Sequence, residues 1–134
     1  MGLDFVNVLL DTHALLWALT SPDRLSDTAR AAVEDPRNDL RVSAASAWEV
    51  STKHRLGKLP GAGVLVQAYD EHLRRLGVVD LPVTSRHALA AGSLEWSHRD
   101  PFDRMIAAPC VLESLPLVTA DDICSAVPGV RVLW

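Results

Sequence analysis

Residues 6–19 read Val-Asn-Val-Leu-Leu-Asp-Thr-His-Ala-Leu-Leu-Trp-Ala-Leu, VNVLLDTHALLWAL, and the pattern changes in the middle. Residues 6–10 form a short run of β-branched and aliphatic side chains, which reads as a buried strand. From His13 to Leu19 the apolar residues follow a helical pattern. Asp11 and Thr12 stand at the junction, so the segment predicts a strand, an acid at its carboxyl end, and a helix.

The same alternation continues outward. Ser26 is the expected N-cap of a helix through about Glu34. Residues 39–42 form a second strand, and Ser43 caps a helix that Gly57 ends. In residues 63–77, Leu65, Ala68 and Tyr69, His72 and Leu73, and Leu76 make one apolar face, and Gly77 stops the helix. Residues 78–83 read as a third strand and residues 85–96 as a helix. Another helix opens at Asp100, in the stretch DPFDRMIAAPC, residues 100–110. Strands at 117–119 and 130–134 complete the order. Strands and helices alternating throughout give an α/β class, with a mainly parallel five-stranded sheet, helices on both faces and right-handed crossovers.

The 134 residues suit one domain, 1–134, with a sizeable core. Hydrophobic residues make up 49% and charged residues 22%, the balance of a soluble globular chain. A formal net charge of −4 excludes binding to polyanions through bulk charge. Cys110 and Cys124, the two cysteines, read as reduced thiols in a cytoplasmic protein, without a disulfide framework or zinc pattern. The first apolar run lacks a basic flank and is interrupted by Asp11, so neither a signal peptide nor a membrane span is expected.

Ligands of open parallel sheets bind outside the carboxyl ends of the strands. Asp11 falls at the end of strand one and Asp121 two residues past Leu117-Val118. Asp103 opens a helix with Ile106 and Ala107 continuing its face, which leans its side chain inward. Glu49 lies in a helix beside Ala45, Ser46, Trp48 and Thr52, a largely uncharged surface. Four acids from four segments can thus meet at one sheet edge. Carboxylates so gathered repel one another and shift toward protonation unless a cation joins them. Mg²⁺ prefers oxygen ligands and can activate water and neutralise a phosphoryl transition state. The pattern points to metal-dependent phosphoester or phosphodiester chemistry.

Each acid also has a plainer reading. Asp11 can cap the next helix, and Asp100 can be an N-cap ahead of Pro101. Asp103 then favours the helix dipole. Glu49 and Lys53 have the spacing of an exposed ion pair. Asp121 can cap a short turn. Four independent caps need not share one edge, however. Lys53, Arg55 and Lys58 cluster at one helix end, and Arg99 and Arg104 flank the acids; these can hold a phosphate backbone or simply form a solvated face. Trp17, Trp48 and Trp96 read as core and interface residues, His72 as helix packing, and His54 and His87 as surface residues; His98 precedes Asp100 closely enough to line the site but reads first as a loop residue.

The segments LLDTHALLWAL, VSAASAWEVSTKHRLGKL, HRDPFDRMIAA, LPLVTADD and VRVLW occur in an order and spacing that resembles the PIN-domain ribonuclease toxins of bacterial type II toxin–antitoxin modules, the VapC family. The resemblance implies a PIN fold and Mg²⁺-dependent RNA cleavage, with Mn²⁺ as a substitute. It implies that Asp11, Glu49, Asp103 and Asp121 are the catalytic, metal-holding acids. Asp100 would be an auxiliary ligand or a cap, and the hydroxyls of Thr12 and Thr119 would orient the acids. It also implies a homodimer and a cognate VapB-type antitoxin whose C-terminal segment covers the active site.

The chain departs from that family at Pro109, where members usually carry glutamine. A proline there removes a hydrogen bond to the carbonyl of Met105. The expectation is a kink near residues 105–109 or early termination, and it keeps open a PIN domain with weak or absent catalysis that binds antitoxin or RNA. A phospho-acceptor signalling domain is rejected because the only lysines, Lys53 and Lys58, are mid-chain. A haloacid-type phosphatase needs Asp-x-Asp after strand one, where this chain has Asp11-Thr-His13.

Overall fold

A computed structural model of the chain describes residues 6–134; residues 1–5, where a targeting segment would begin, lie outside them. Five strands form one sheet, β1 (Asn7–Leu10), β2 (Asp39–Ser43), β3 (Val78–Leu81), β4 (Leu117–Val118) and β5 (Val132–Leu133), in the order β3-β2-β1-β4-β5. Every pairing is parallel, as expected when helices connect successive strands. No helix among the described residues is long and apolar enough to cross a membrane.

The central strand explains the two covered faces. Val8, Leu9 and Leu10 are all fully buried, each worth about 1.5–3 kcal/mol relative to exposure. Val8 and Leu10 face the larger core, with Leu15 and Leu16 of α1 (Thr12–Thr20), Ala29 of α2 (Asp27–Glu34) and Val50 of α3 (Ala44–Arg55). Leu65 of α4 (Ala62–Val66) and Leu73 of α5 (Tyr69–Leu76) join them. Leu9 faces the other way, toward Ile106 and Cys110 of α7 (Pro101–Leu112), and toward Leu117 and Cys124. Side chains alternate across a strand, so a continuous apolar run here means two buried faces. Cys110 and Cys124 are free, buried thiols.

Local signals set most boundaries. The Ser26 side chain accepts from the Ala29 N–H, and Ser43 from that of Ala45. Gly77 takes the left-handed conformation after α5, with φ 72°, which costs glycine nothing. Two expected helices are shorter or divided. The pattern at 63–77 splits into α4 and α5 because Ala68 adopts φ −158° and ψ 52°, so the apolar stripe is shared by two helices. Helix α6 (Ser85–Ser93) starts after the N-cap Thr84 and stops short of Trp96. The His87 ring is buried and completes a capping box with Thr84, which corrects its reading as a surface residue. Pro109 does not end α7; the helix runs on to Leu112. The proline is fully buried, and its carbonyl still accepts from Glu113 N–H at 2.9 Å.

Candidate active site

Sheet register builds the site. Leu10 pairs with Val42 on one side and Val118 on the other, so Asp11, Ser43 and Thr119 follow at the same carboxyl edge. Asp11 caps α1, with Oδ1 accepting from Ala14 N–H at 2.8 Å. Burial pushes its pKa up to about 6. A hydrogen bond from Thr119, the Ala14 N–H and the charge of His13 pull it down, whereas Asp103 adds a like charge that raises it.

Ser43 opens α3 and thereby brings Glu49 into the same region. Glu49 is only 3% exposed, which a solvent-facing ion pair would not be. The Thr12 hydroxyl bridges Ser46 Oγ, at 3.0 Å, and the Glu49 carboxylate. Lys53, one turn along α3, pairs with the other Glu49 oxygen. Partial burial lowers the Lys53 pKa, but Glu49, Asp100 and Asp103 outweigh that effect and raise it on balance. An ammonium therefore already lies in the field of three of these acids.

Helix α7 contributes two more carboxylates. Asp100 is its N-cap, accepting from the N–H groups of Phe102 and Asp103, and Pro101 occupies the first helical turn. Asp103 is half-buried, and its pKa is raised by burial first and by Asp100 and Glu49 after it. His98 opposes that shift: its Nε2 lies 2.6 Å from Asp103 Oδ2. The potential ligand atoms of His98, Asp100 and Asp103 lie within 4.8 Å of one another. Composition gave no hint of this histidine contact; the one available signal was its place two residues before the Asp100 cap.

Asp121 is exposed and caps the short 3-10 turn Asp122–Ala126, accepting from Ile123 N–H at 3.1 Å. The buried Thr119 hydroxyl accepts from Asp121 N–H at 3.0 Å. An open cleft of about 360 Å³ is lined by Asp11, His13, Trp17, Ala120 and Asp121. The thiol of Cys124 links these acids: burial first, and then the charges of Asp103, Asp121 and Asp11, push it up to about 12. The sequence placed Trp17 among core and interface residues and gave His13 no role in the site, although one helical turn separates the two and both line this cleft with Asp11.

The cationic residues divide. Arg55, Lys58 and Arg99 are exposed. Arg104 faces inward, with its guanidinium directed at the carbonyls of Ala91, Gly92, Leu94, Trp96 and His98. It has no donor left over for a phosphate, which corrects its expected role. Trp48 is 53% exposed and meets Phe102 edge-on at 4.5 Å, so it is a surface residue rather than a core one.

Carboxylates from the end of β1, from α3, from α7 and from the segment after β4 thus lie toward one edge; burial biases Asp11 and Asp103 toward protonation, with Asp103 adding to the rise of Asp11 and Asp100 and Glu49 adding to that of Asp103. Carboxylates in this number, with the Lys53 ammonium and the His98 imidazole as their near partners, fit a hard divalent cation, which prefers oxygen ligands. The PIN domain family model matches residues 8–130. The chain belongs to the PIN domain family. Over 80 residues it is 40% identical to Ribonuclease VapC16 of Mycobacterium tuberculosis, a match covering 58% of this chain and 56% of that protein; the shared region is thus about half the length of the curated relative. This PIN domain is also similar in fold to VapBC2 from Rickettsia felis bound to a DNA fragment from their promoter, with a TM-score of 0.66, 16% identity, and coverage of 95% of this chain and 97% of that one. A toxin–antitoxin complex from Klebsiella pneumoniae gives a TM-score of 0.62 at 20% identity, covering 92% and 94%.

Proposed function

We propose that this chain is the toxin of a bacterial type II toxin–antitoxin module, a cytoplasmic Mg²⁺-dependent endoribonuclease that hydrolyses RNA phosphodiester bonds. The observation that carries this reading is the gathering of carboxylates from three elements at one sheet edge, where the charge of Asp103 raises the pKa of Asp11 and that of Glu49 raises the pKa of Asp103. The likeness to a protein named a ribonuclease supports the choice of substrate, and structures of toxin–antitoxin complexes support a VapB-type antitoxin as partner. A homodimer belongs to the same proposal.

In this mechanism Asp11, Glu49, Asp103 and Asp121 would hold the cation, with Mn²⁺ as a substitute. When bound, the ion supplies Lewis acidity, lowering the pKa of water and offsetting charge on the phosphoryl oxygens. Thr12 holds one Glu49 oxygen and Thr119 steadies both Asp11 and the backbone of Asp121. Asp100 fixes the first turn of α7, and with it Asp103. Lys53 offsets the charge of Glu49. Arg55, Lys58 and Arg99 provide exposed positive charge for the RNA backbone.

The test is cleavage of a structured RNA pool by the purified chain with Mg²⁺, with EDTA, and after Asp11→Asn or Asp103→Asn. The expected result is cutting that EDTA and each substitution abolish while circular dichroism stays that of the parent. Cutting by both folded variants at the parent rate refutes the assignment. Metal-independent RNA binding without cleavage identifies a non-catalytic binding domain instead.

A further inference from the structure

Arg104 follows Asp103 directly on α7, yet its side chain turns away from the acids. Nε donates to Ala91 O at 2.8 Å, Nη1 to Trp96 O at 2.9 Å and His98 O at 3.0 Å, and Nη2 to Leu94 O at 2.8 Å and Gly92 O at 3.5 Å. A guanidinium has five N–H donors in a rigid plane, and here every one is directed at a carbonyl. Ala91 and Gly92 belong to the last turn of α6, where carbonyls lack helical partners and a cation suits the dipole. Leu94, Trp96 and His98 belong to the connection between α6 and α7, which has no regular structure of its own.

The connection carries the imidazole that meets Asp103. Arg104 Nη1 holds the carbonyls of both Trp96 and His98. The Trp96 ring packs against the smaller core and lies 4.9 Å from the His98 ring, tilted by 49°. The imidazole is thus fixed through its backbone by Arg104 and through its ring face by Trp96. Its Nε2 then sits 2.6 Å from Asp103 Oδ2.

We propose that Arg104 is a positioning residue acting through His98: by clamping the α6–α7 connection it aims the imidazole at Asp103 and fixes the orientation of that carboxylate. Its consequence for cation affinity and cleavage rests on the ribonuclease reading above; the clamp itself does not. Lysine cannot replace it, because an ammonium offers three donors at one point rather than a planar fork. A residue that merely capped α6 would affect stability and leave the His98–Asp103 pair alone.

The experiment uses the full chain with ¹⁵N-labelled histidine, and the variants Arg104→Gln, Arg104→Lys, His98→Ala and Arg104→Gln with His98→Ala. Ring ¹⁵N shifts report the His98 hydrogen bond, Mn²⁺ titration followed by electron paramagnetic resonance reports affinity, and circular dichroism reports folding. The expected result is loss of the hydrogen-bonded His98 signal in both Arg104 variants. Mn²⁺ affinity should fall at least tenfold (~1.4 kcal/mol) in Arg104→Gln and in His98→Ala, and no further in the double variant, as coupled residues require. A folded Arg104 variant with an unchanged His98 signal overturns the proposal, as do losses that multiply in the double variant. If Arg104→Gln does not fold, Arg104→Lys carries the same comparison. A parent chain that cuts no RNA counts against the ribonuclease reading alone, since the ring signal is read without RNA.

Discussion

The Lys53 ammonium pairs with a Glu49 carboxylate that is almost wholly buried, one turn back on α3. This spacing is usually met on exposed helix faces, where a pair is worth a few tenths of a kcal/mol. Here the carboxylate has little access to water, so losing its partner costs more. Lys53→Met should lower the stability of the metal-free chain by about 2 kcal/mol, discounted from buried-pair values because Lys53 is partly solvated. Mg²⁺ should restore more stability in this variant than in the parent. Urea unfolding with and without Mg²⁺ checks both halves; a variant as stable as the parent would show that water already serves Glu49.

Thr12→Val keeps the shape of the side chain and removes the hydroxyl that bridges Ser46 and Glu49. All three groups are buried. The expected loss is about 1–3 kcal/mol, the range for leaving a buried polar partner unsatisfied. Denaturant midpoints measure it. A midpoint equal to the parent's would mean that the bridge contributes nothing net.

Burial raises the Asp11 pKa from 3.8 to about 6. Between those values the folded carboxyl holds more protons than the unfolded one, so this group contributes stability at low pH that is lost as pH rises through about 6. Asp11→Asn removes the titration. Without metal, the variant should gain on the parent as pH is raised from 4 to 7.5, and at pH 7.5 Mg²⁺ should stabilise the parent more than the variant. Unfolding free energies across that range, in EDTA and then in Mg²⁺, give the comparison. A difference between variant and parent that stays flat with pH would remove the claim that Asp11 is charged against its surroundings.

Helix α7 passes through Pro109 and continues to Leu112. Pro109→Ala returns the N–H that a helix interior needs and removes the ring crowding, a gain of about 3 kcal/mol in full. The lost ring leaves a small cavity in a fully buried position, which takes back part of that gain. A net rise of about 1 kcal/mol is expected, readable as a higher melting temperature. A lower one would show that packing of the ring outweighs the missing hydrogen bond.

The order of strands and helices, and the caps at Ser26, Ser43, Asp100 and Asp11, were legible in the linear chain, because strand runs, N-caps and proline at a first helical turn are local signals; the chain positions of the four candidate acids were too. The break at Ala68 was not, since a continuous apolar stripe can be carried by one helix or by two. Nor were the directions of Arg104 and His98, or the burial of Glu49 and His87. A sequence states which groups are present and which lie one turn apart. It does not state where a long side chain finds its hydrogen-bond partners, because those partners come from another segment: α6 and its following connection for Arg104, α7 for His98, and α1 for Glu49. Sheet register, which sets Leu10 beside Val42 and Val118, is what turns separate acids into one charged edge. Local chemistry determined the elements of this PIN domain, and tertiary packing decided which polar groups are desolvated together.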